Sequence, residues 1–237
     1  MHAHQPDSVW SLMSLLYRAH PWHGVPVHPS SPDRLMVYIE IVPTDTVKYE
    51  LDKETGILRV DRPQRYSNVC PSLYGLIPQT YCGQNLAAFT QEATGRDNIV
   101  GDGDPLDICV LTEKDVMHGD ILVEVIPIGG FRLLDGNEAD DKIIAVLLGD
   151  AAYGECRSLD DVPPSIIERL KHYFLTYKQA PGDKNHVCEI THVYGRAEAH
   201  EVIQRCKSDY YQLFGDLKSR VIDPATGELD RDVPLEG

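Results

Sequence analysis

Leu35-Met36-Val37-Tyr38-Ile39-Glu40-Ile41-Val42 alternates with period two. Val37, Ile39 and Ile41 fall on one face and Tyr38 and Glu40 on the other, the pattern of a half-buried strand. The alternation resumes over residues 46–51, where Lys48 and Glu50 share a face opposite Val47, Tyr49 and Leu51. Glu54-Thr55-Gly56 reads as a turn, residues 57–60 as a short strand, and residues 106–111, 121–128 and 143–148 as three more apolar β-type runs. Upstream, residues 21–33 are turn-rich, with Pro21, Pro26, Pro29 and Pro32. Downstream the period lengthens. Pro163-Pro164 opens a helix over 165–178 whose Ile166, Leu170, Phe174 and Tyr177 recur at steps of three or four, and a second helix spans about 196–214. Strands followed by helices, without a βαβ rhythm, predict an α+β fold, mainly β, built on a small closed antiparallel barrel with C-terminal helices beside it.

The rest of the chain fits around that unit as one domain over 1–237. Residues 1–34 form an N-terminal extension in which Ser8 caps a helix presenting Val9, Leu12, Met13 and Leu16. Residues 79–101 are polar and irregular, as in a loop insertion between strands, and 224–237 read as an acidic tail. A length of 237 residues suffices for a core without disulfide staples. Cys70, Cys82, Cys109, Cys156, Cys188 and Cys206 contain no CxxC pair, which argues for free thiols, a reducing compartment and a cytoplasmic address. The apolar run near the start is broken by serines and preceded by His2, His4 and Asp7, so neither a signal peptide nor a membrane span is expected. Thirty-seven acids against 22 bases leave a net charge of −15, which disfavours a nucleic-acid partner. The acidic excess is either a solvated surface or a set of carboxylates gathered around cations.

The densest cluster is Gly101-Asp102-Gly103-Asp104-Pro105-Leu106-Asp107 at the entrance to the 106–111 strand. Carboxylates this close raise one another's pKa unless cations or donors compensate, and hard cations such as Mg²⁺ seek oxygen ligands. An EF-hand is excluded because Leu106 and Asp107 occupy the fifth and sixth loop positions, the latter reserved for Gly. A second acidic cluster, Asp135-Gly136-Asn137-Glu138-Ala139-Asp140-Asp141-Lys142, lies in another loop after a strand. Glu40 and Glu50 could add carboxylates from strand faces. Locally, plainer readings compete: Lys142 pairs with Asp141, Lys48 with Glu50, and Lys178 complements a helix C-terminus. His20, His23 and His28 sit in a Pro-rich turn and read as structural. No Walker loop, GxSxG or GxGxxG occurs.

Residues 102–107, Asp-Gly-Asp-Pro-Leu-Asp, match the signature of the family I soluble inorganic pyrophosphatases. The sequence resembles that family in the same order at 37–41, 47–50, 60–62, Tyr74-Gly75, 135–142, 172–174 and Tyr177-Lys178. The resemblance implies an OB-like, five-stranded barrel and Mg²⁺-dependent hydrolysis of inorganic pyrophosphate to two orthophosphates by metal-activated water. Asp102, Asp107 and Asp140 match the ligands of the activating metal, and Asp135, Glu50 and Glu40 the acids that bind or position further Mg²⁺. Asp104 matches the general base, and Lys48, Arg62, Tyr74, Lys142, Tyr177 and Lys178 the phosphate contacts. Mn²⁺ would substitute and Ca²⁺ inhibit. Relatives assemble as homo-oligomers, dimers or hexamers. Two features depart from the family pattern: Cys70 stands where many members carry tyrosine, and the 79–101 segment precedes the signature. The alternative expectation is a catalytically weak metal-binding or interaction protein that keeps the fold.

Overall fold

A computed structural model describes residues 18–27, 33–179, 182 and 188–215. The strands are β1 Leu35–Ile41, β2 Val47–Leu51, β3 Leu58–Pro63, β4 Leu73–Leu76, β5 Val100–Gly101, β6 Asp107–Leu111, β7 Ile121–Asp135, β8 Glu138–Ala139, β9 Lys142–Leu147 and β10 Cys188–Gly195. The α-helices are α1 Gln84–Thr94, α2 Pro164–Thr176 and α3 Arg196–Phe214.

β1 pairs with both β4 and β7, and β4, β6, β9 and β7 follow in turn, so five strands close on themselves into the barrel. Closure is uneven. Pairing slips between Ile39 and Ile41 in β1 and between Pro127 and Gly129 in β7, bulges that bend a strand and sharpen its twist. The bend lets the long β7 pair with β1 through its first half and with β10 through its second. One pairing in the ring departs from an all-antiparallel barrel, since β6 and β9 run parallel with Asp107 opposite Lys142. Where β4 crosses β1 the backbones nearly touch: a Cβ at Gly75 would lie 1.9 Å from the Tyr38 carbonyl oxygen, so only glycine fits.

Both faces of the central strands are covered, which explains their continuous apolar runs. Ile108, Val110, Ile143 and Ala145 pack beneath α1 and α3 with Leu86, Ala199, Val202 and Ile203. Cys109, Leu111, Ile144 and Val146 face the other way, against Ile167, Leu170 and Phe174 of α2. Pro164 occupies the first turn of α2, where its missing N–H costs no helical bond.

The segment expected to be a loop insertion, 79–101, carries helix α1. Leu86, Ala87 and Thr90 are buried at helical spacing, α1 packs on α3, and Gly95 ends it in the left-handed conformation at φ 66°. Asp209 of α3 accepts the backbone N–H groups of Gly83, Asn85 and Leu86, capping α1 from a distant element. β4 and β10 carry little local signal, one being too short and the other too polar to show a clear alternation. In the N-terminal extension Trp22 is only 4% exposed, and its indole N–H donates to the Thr80 carbonyl at 2.8 Å. The expected helix near residue 9 and the 224–237 tail lie outside the described residues. No helix among those described is long and apolar enough to cross a membrane.

Candidate active site

The barrel topology gathers the acidic segments at one end. Asp102 and Asp104 lie in the connection from β5 to β6, Asp107 begins β6, Asp135 ends β7, and Asp140 with Lys142 sits where β9 begins. Glycine serves this geometry at Gly103, whose φ of 77° turns the backbone between the first two aspartates, and the Asp104 N–H folds back onto the Asp102 carboxylate at 2.9 Å. A cleft of about 400 Å³ opens there, lined by these residues together with Lys48, Arg62, Tyr74, Tyr177 and Lys178. Asp61, Arg65 and Glu138 also line it, beyond the residues expected from sequence.

The parallel register of β6 and β9 sets the centre of the cleft. Lys142 is 1% exposed, and its ammonium lies between Asp107 Oδ2 and Asp140 Oδ1. Burial pulls the Lys142 pKa down, but Asp107 and Asp140 overcome it and carry it well above the ordinary lysine value. The competing plain reading, Lys142 paired with Asp141, does not hold, because successive residues on a strand point to opposite faces. Asp141 points into the core, accepting from Tyr194 Oη at 3.0 Å with Arg132 Nε at 3.6 Å, and burial pushes its carboxyl up to about 7 against the Arg132 charge.

Tyr74 Oη donates to Asp107 Oδ2 at 2.5 Å, and burial followed by the Asp107 charge drives its pKa well above the ordinary phenol range. Lys178 Nζ donates to Asp135, so the end of α2 is tied to the end of β7. Lys48 and Arg62 are register partners in the β2–β3 hairpin. Lys48 Nζ stands 3.1 Å from Asp61 and 3.5 Å from Glu50, and Arg62 lies 6.0 Å from the centre of the Tyr177 ring. The local Lys48–Glu50 pair thus exists, as part of a wider set of charges. Lys178, two residues past the end of α2, also has a specific carboxylate partner in Asp135, beyond any complement to the helix dipole.

Glu40 and Glu50 stand apart from the main cleft, in a smaller adjoining cavity that shares Lys48, Tyr74, Asp104 and Asp107 with it. Glu40 is 6% exposed and accepts the Leu51 N–H at 2.6 Å, and burial with the Asp107 charge pushes its carboxyl up to about 8. Lys53, not singled out in the sequence, reaches from the β2–β3 turn to the Asp104 carboxylate. Lys48 alternates with Glu50 inside β2, whereas Lys53 lies beyond the strand end and carries no such pattern. Cys70 is wholly buried and does not line the cleft, so it offers the cleft no donor comparable to a phenol, and burial raises its thiol to about 12.

Among the described residues no group of three or more His, Cys, Asp or Glu side chains converges on one point as a ready metal cage. The donor set nevertheless suits a hard cation: it is all oxygen, and an ammonium already lies between two of the carboxylates. Burial, then the charge of Asp140, pushes Asp102 up to about 9.

The Pyrophosphatase family, described as inorganic pyrophosphatase, is matched over residues 37–211. The chain is 53% identical over 199 residues to the inorganic pyrophosphatase of Chlamydia muridarum, covering 82% of this chain and 95% of that one. It is 37% identical over 161 residues to the soluble inorganic pyrophosphatase of rice, Oryza sativa subsp. indica, covering 68% and 66%. The crystal structure of inorganic pyrophosphatase from Thermus thermophilus superimposes with a TM-score of 0.67 at 28% identity, covering 81% of this chain and 99% of that one.

Proposed function

The chain belongs to the inorganic pyrophosphatase family of hydrolases, and from that premise we propose that it hydrolyses inorganic pyrophosphate to two orthophosphates with Mg²⁺ as cofactor. The observation that carries the reading is the Asp107–Lys142–Asp140 contact in a cleft where carboxylates and cations are interleaved. Carboxylates alone would repel a polyanion, and cations alone would bind it without activating water.

Asp102, Asp107 and Asp140 would hold the activating ion, with Asp135, Glu50 and Glu40 binding or positioning further ions. When bound there, Mg²⁺ supplies positive charge to the phosphate oxygens and acidifies water. Asp104, 42% exposed at its side chain, accepts the proton of the attacking water as the new O–P bond forms and the bridging P–O bond breaks. The departing phosphate carries the bonding pair away. Lys48, Arg62, Tyr74, Lys142, Tyr177 and Lys178 hold phosphate oxygens, Arg62 through its guanidinium fork and the lysines as point charges. No protein nucleophile is required, since phosphoryl transfer to water rests on positioning and charge neutralisation.

Purified protein with Mg²⁺ and pyrophosphate should release orthophosphate, with Mn²⁺ supporting turnover and Ca²⁺ suppressing it. Absence of turnover across these metals would leave only a non-catalytic cation-binding protein. A homo-oligomer, dimer or hexamer, and a cytoplasmic setting complete the proposal; sedimentation checks the first. The six cysteines, all buried and unbridged, support a reducing compartment.

A further inference from the structure

Arg65 lies on the connection between β3 and β4, outside the phosphate-contacting set proposed above, yet it lines the same cleft as Arg62 and Lys178. Its Nη1 donates to the Lys178 carbonyl at 2.9 Å, so the guanidinium is tethered to the end of α2 instead of sweeping solvent. Its pairing distinguishes it from the other cations of the cleft. Lys48 faces Asp61 and Glu50, Arg62 approaches Asp61, Lys142 sits between Asp107 and Asp140, and Lys178 bonds Asp135. Among the described residues Arg65 lines the cleft without a carboxylate ion-pair partner.

An anion that meets Lys142 or Lys178 must compete with a carboxylate already in place, whereas one that meets Arg65 breaks no ion pair. A guanidinium carries five N–H donors, and the Lys178 carbonyl takes one from Nη1, leaving donors for a phosphate oxygen. We propose that Arg65 is a further substrate-binding residue, whose guanidinium engages an oxygen of the phosphate group lying against Arg62 and Lys178. The contact deepens the pyrophosphatase reading of the cleft and rests on it. Because the interaction needs no bond to be made or broken in the substrate, it acts on binding more than on chemistry, and the orthophosphate product uses it too.

The test is steady-state hydrolysis of pyrophosphate with Mg²⁺ by the full chain and its Arg65→Gln and Arg65→Lys variants. Glutamine keeps an N–H donor for the Lys178 carbonyl and removes the charge; lysine keeps the charge. A lost charge-assisted hydrogen bond corresponds to about tenfold in binding, so Arg65→Gln should raise KM about tenfold, more than it lowers kcat. Inhibition by orthophosphate should weaken by a similar factor, and Arg65→Lys should recover most of both. A KM for Arg65→Gln within about twofold of the parent overturns the proposal. So does equal impairment of both variants, which would reduce Arg65 to a tether for Lys178. Should the parent chain show no turnover, the pyrophosphatase reading fails instead. Calorimetry with orthophosphate then decides on Arg65: weaker binding by Arg65→Gln supports the contact, and unchanged binding overturns it.

Discussion

Asp104 has a side chain 42% exposed, whereas that of Asp140 is 12% exposed, and this separates two uses of the same carboxyl group. A group that takes a proton from water must reach water; one that holds a cation gains from a drier setting. Lys53 orients the Asp104 carboxylate from the β2–β3 turn. Asp104→Asn is expected to lower hydrolysis by about 10²–10⁴-fold while Mg²⁺ still raises the melting temperature; an unchanged rate would remove Asp104 as the base. Glu40 makes a different prediction. Its folded pKa of about 8 lies above its ordinary value of 4.5, so its contribution to stability is full below 4.5 and is lost as pH rises through 8. In chelator, Glu40→Gln, which preserves an acceptor for the Leu51 N–H, should flatten the decline in urea midpoint across that window. An equal decline in both proteins would show that Glu40 is not its source.

At the scale of elements, α1 shows how a segment with weak local pattern becomes helical. Gly83 before it offers no side-chain cap and its first turn carries no acidic residue, yet Leu86 is 0% exposed and packs into the core under α3. Truncating a leucine in such a place costs about 2–5 kcal/mol, against less than about 0.5 kcal/mol at an exposed site. Leu86→Ala should therefore lower the urea midpoint strongly and Glu92→Ala, on the exposed side, scarcely. Equal small effects would return the segment to a surface loop. The β2–β3 hairpin is fixed from outside in a similar way: His20 lies against Gly56, where φ is 70°, and its Nε2 is 3.1 Å from the Lys53 carbonyl oxygen. Its Nδ1 accepts from the N–H groups of Trp22 and His23, which leaves Nε2 as the donor to that carbonyl. The N-terminal segment thus braces the turn that carries Lys53.

Across the whole molecule the net charge of −15 is partly concentrated at one end of the barrel. Folding buries Asp102 and Asp140 beside Asp107, and that loss of hydration, with the charge of a neighbouring carboxylate added to it, raises both pKa values in spite of Lys142. Any cation that binds only the folded chain stabilises it by mass action, about 2.7 kcal/mol at a hundredfold excess over Kd. Mg²⁺ should raise the melting temperature of the parent chain. The Asp102→Asn/Asp140→Asn protein should melt higher than the parent in chelator and respond less to Mg²⁺. A parent melting temperature insensitive to Mg²⁺ would count against the carboxylate cluster as a cation site.

The amino-acid sequence by itself determined the features that are local. The period-two strands around residues 35–51, the helix opened by Pro164, the helix over 196–214 and the Asp-Gly-Asp turn are each specified within a few turns of chain, by side-chain alternation, a fixed φ or a missing Cβ. The ordered acidic and basic motifs carried the family resemblance for the same reason. Only the tertiary structure decided what depends on partners distant in the chain. The parallel pairing of β6 with β9 set Lys142 between Asp107 and Asp140 and turned Asp141 into the core. Packing against α3, with Asp209 as a remote cap, made a helix of residues that look like a loop. Lys53 and Arg65 acquire their places from long-range contacts with Asp104 and Lys178. Their neighbours in sequence say nothing of those contacts, because the free energy that selects them comes from charges and surfaces brought together only when the barrel closes.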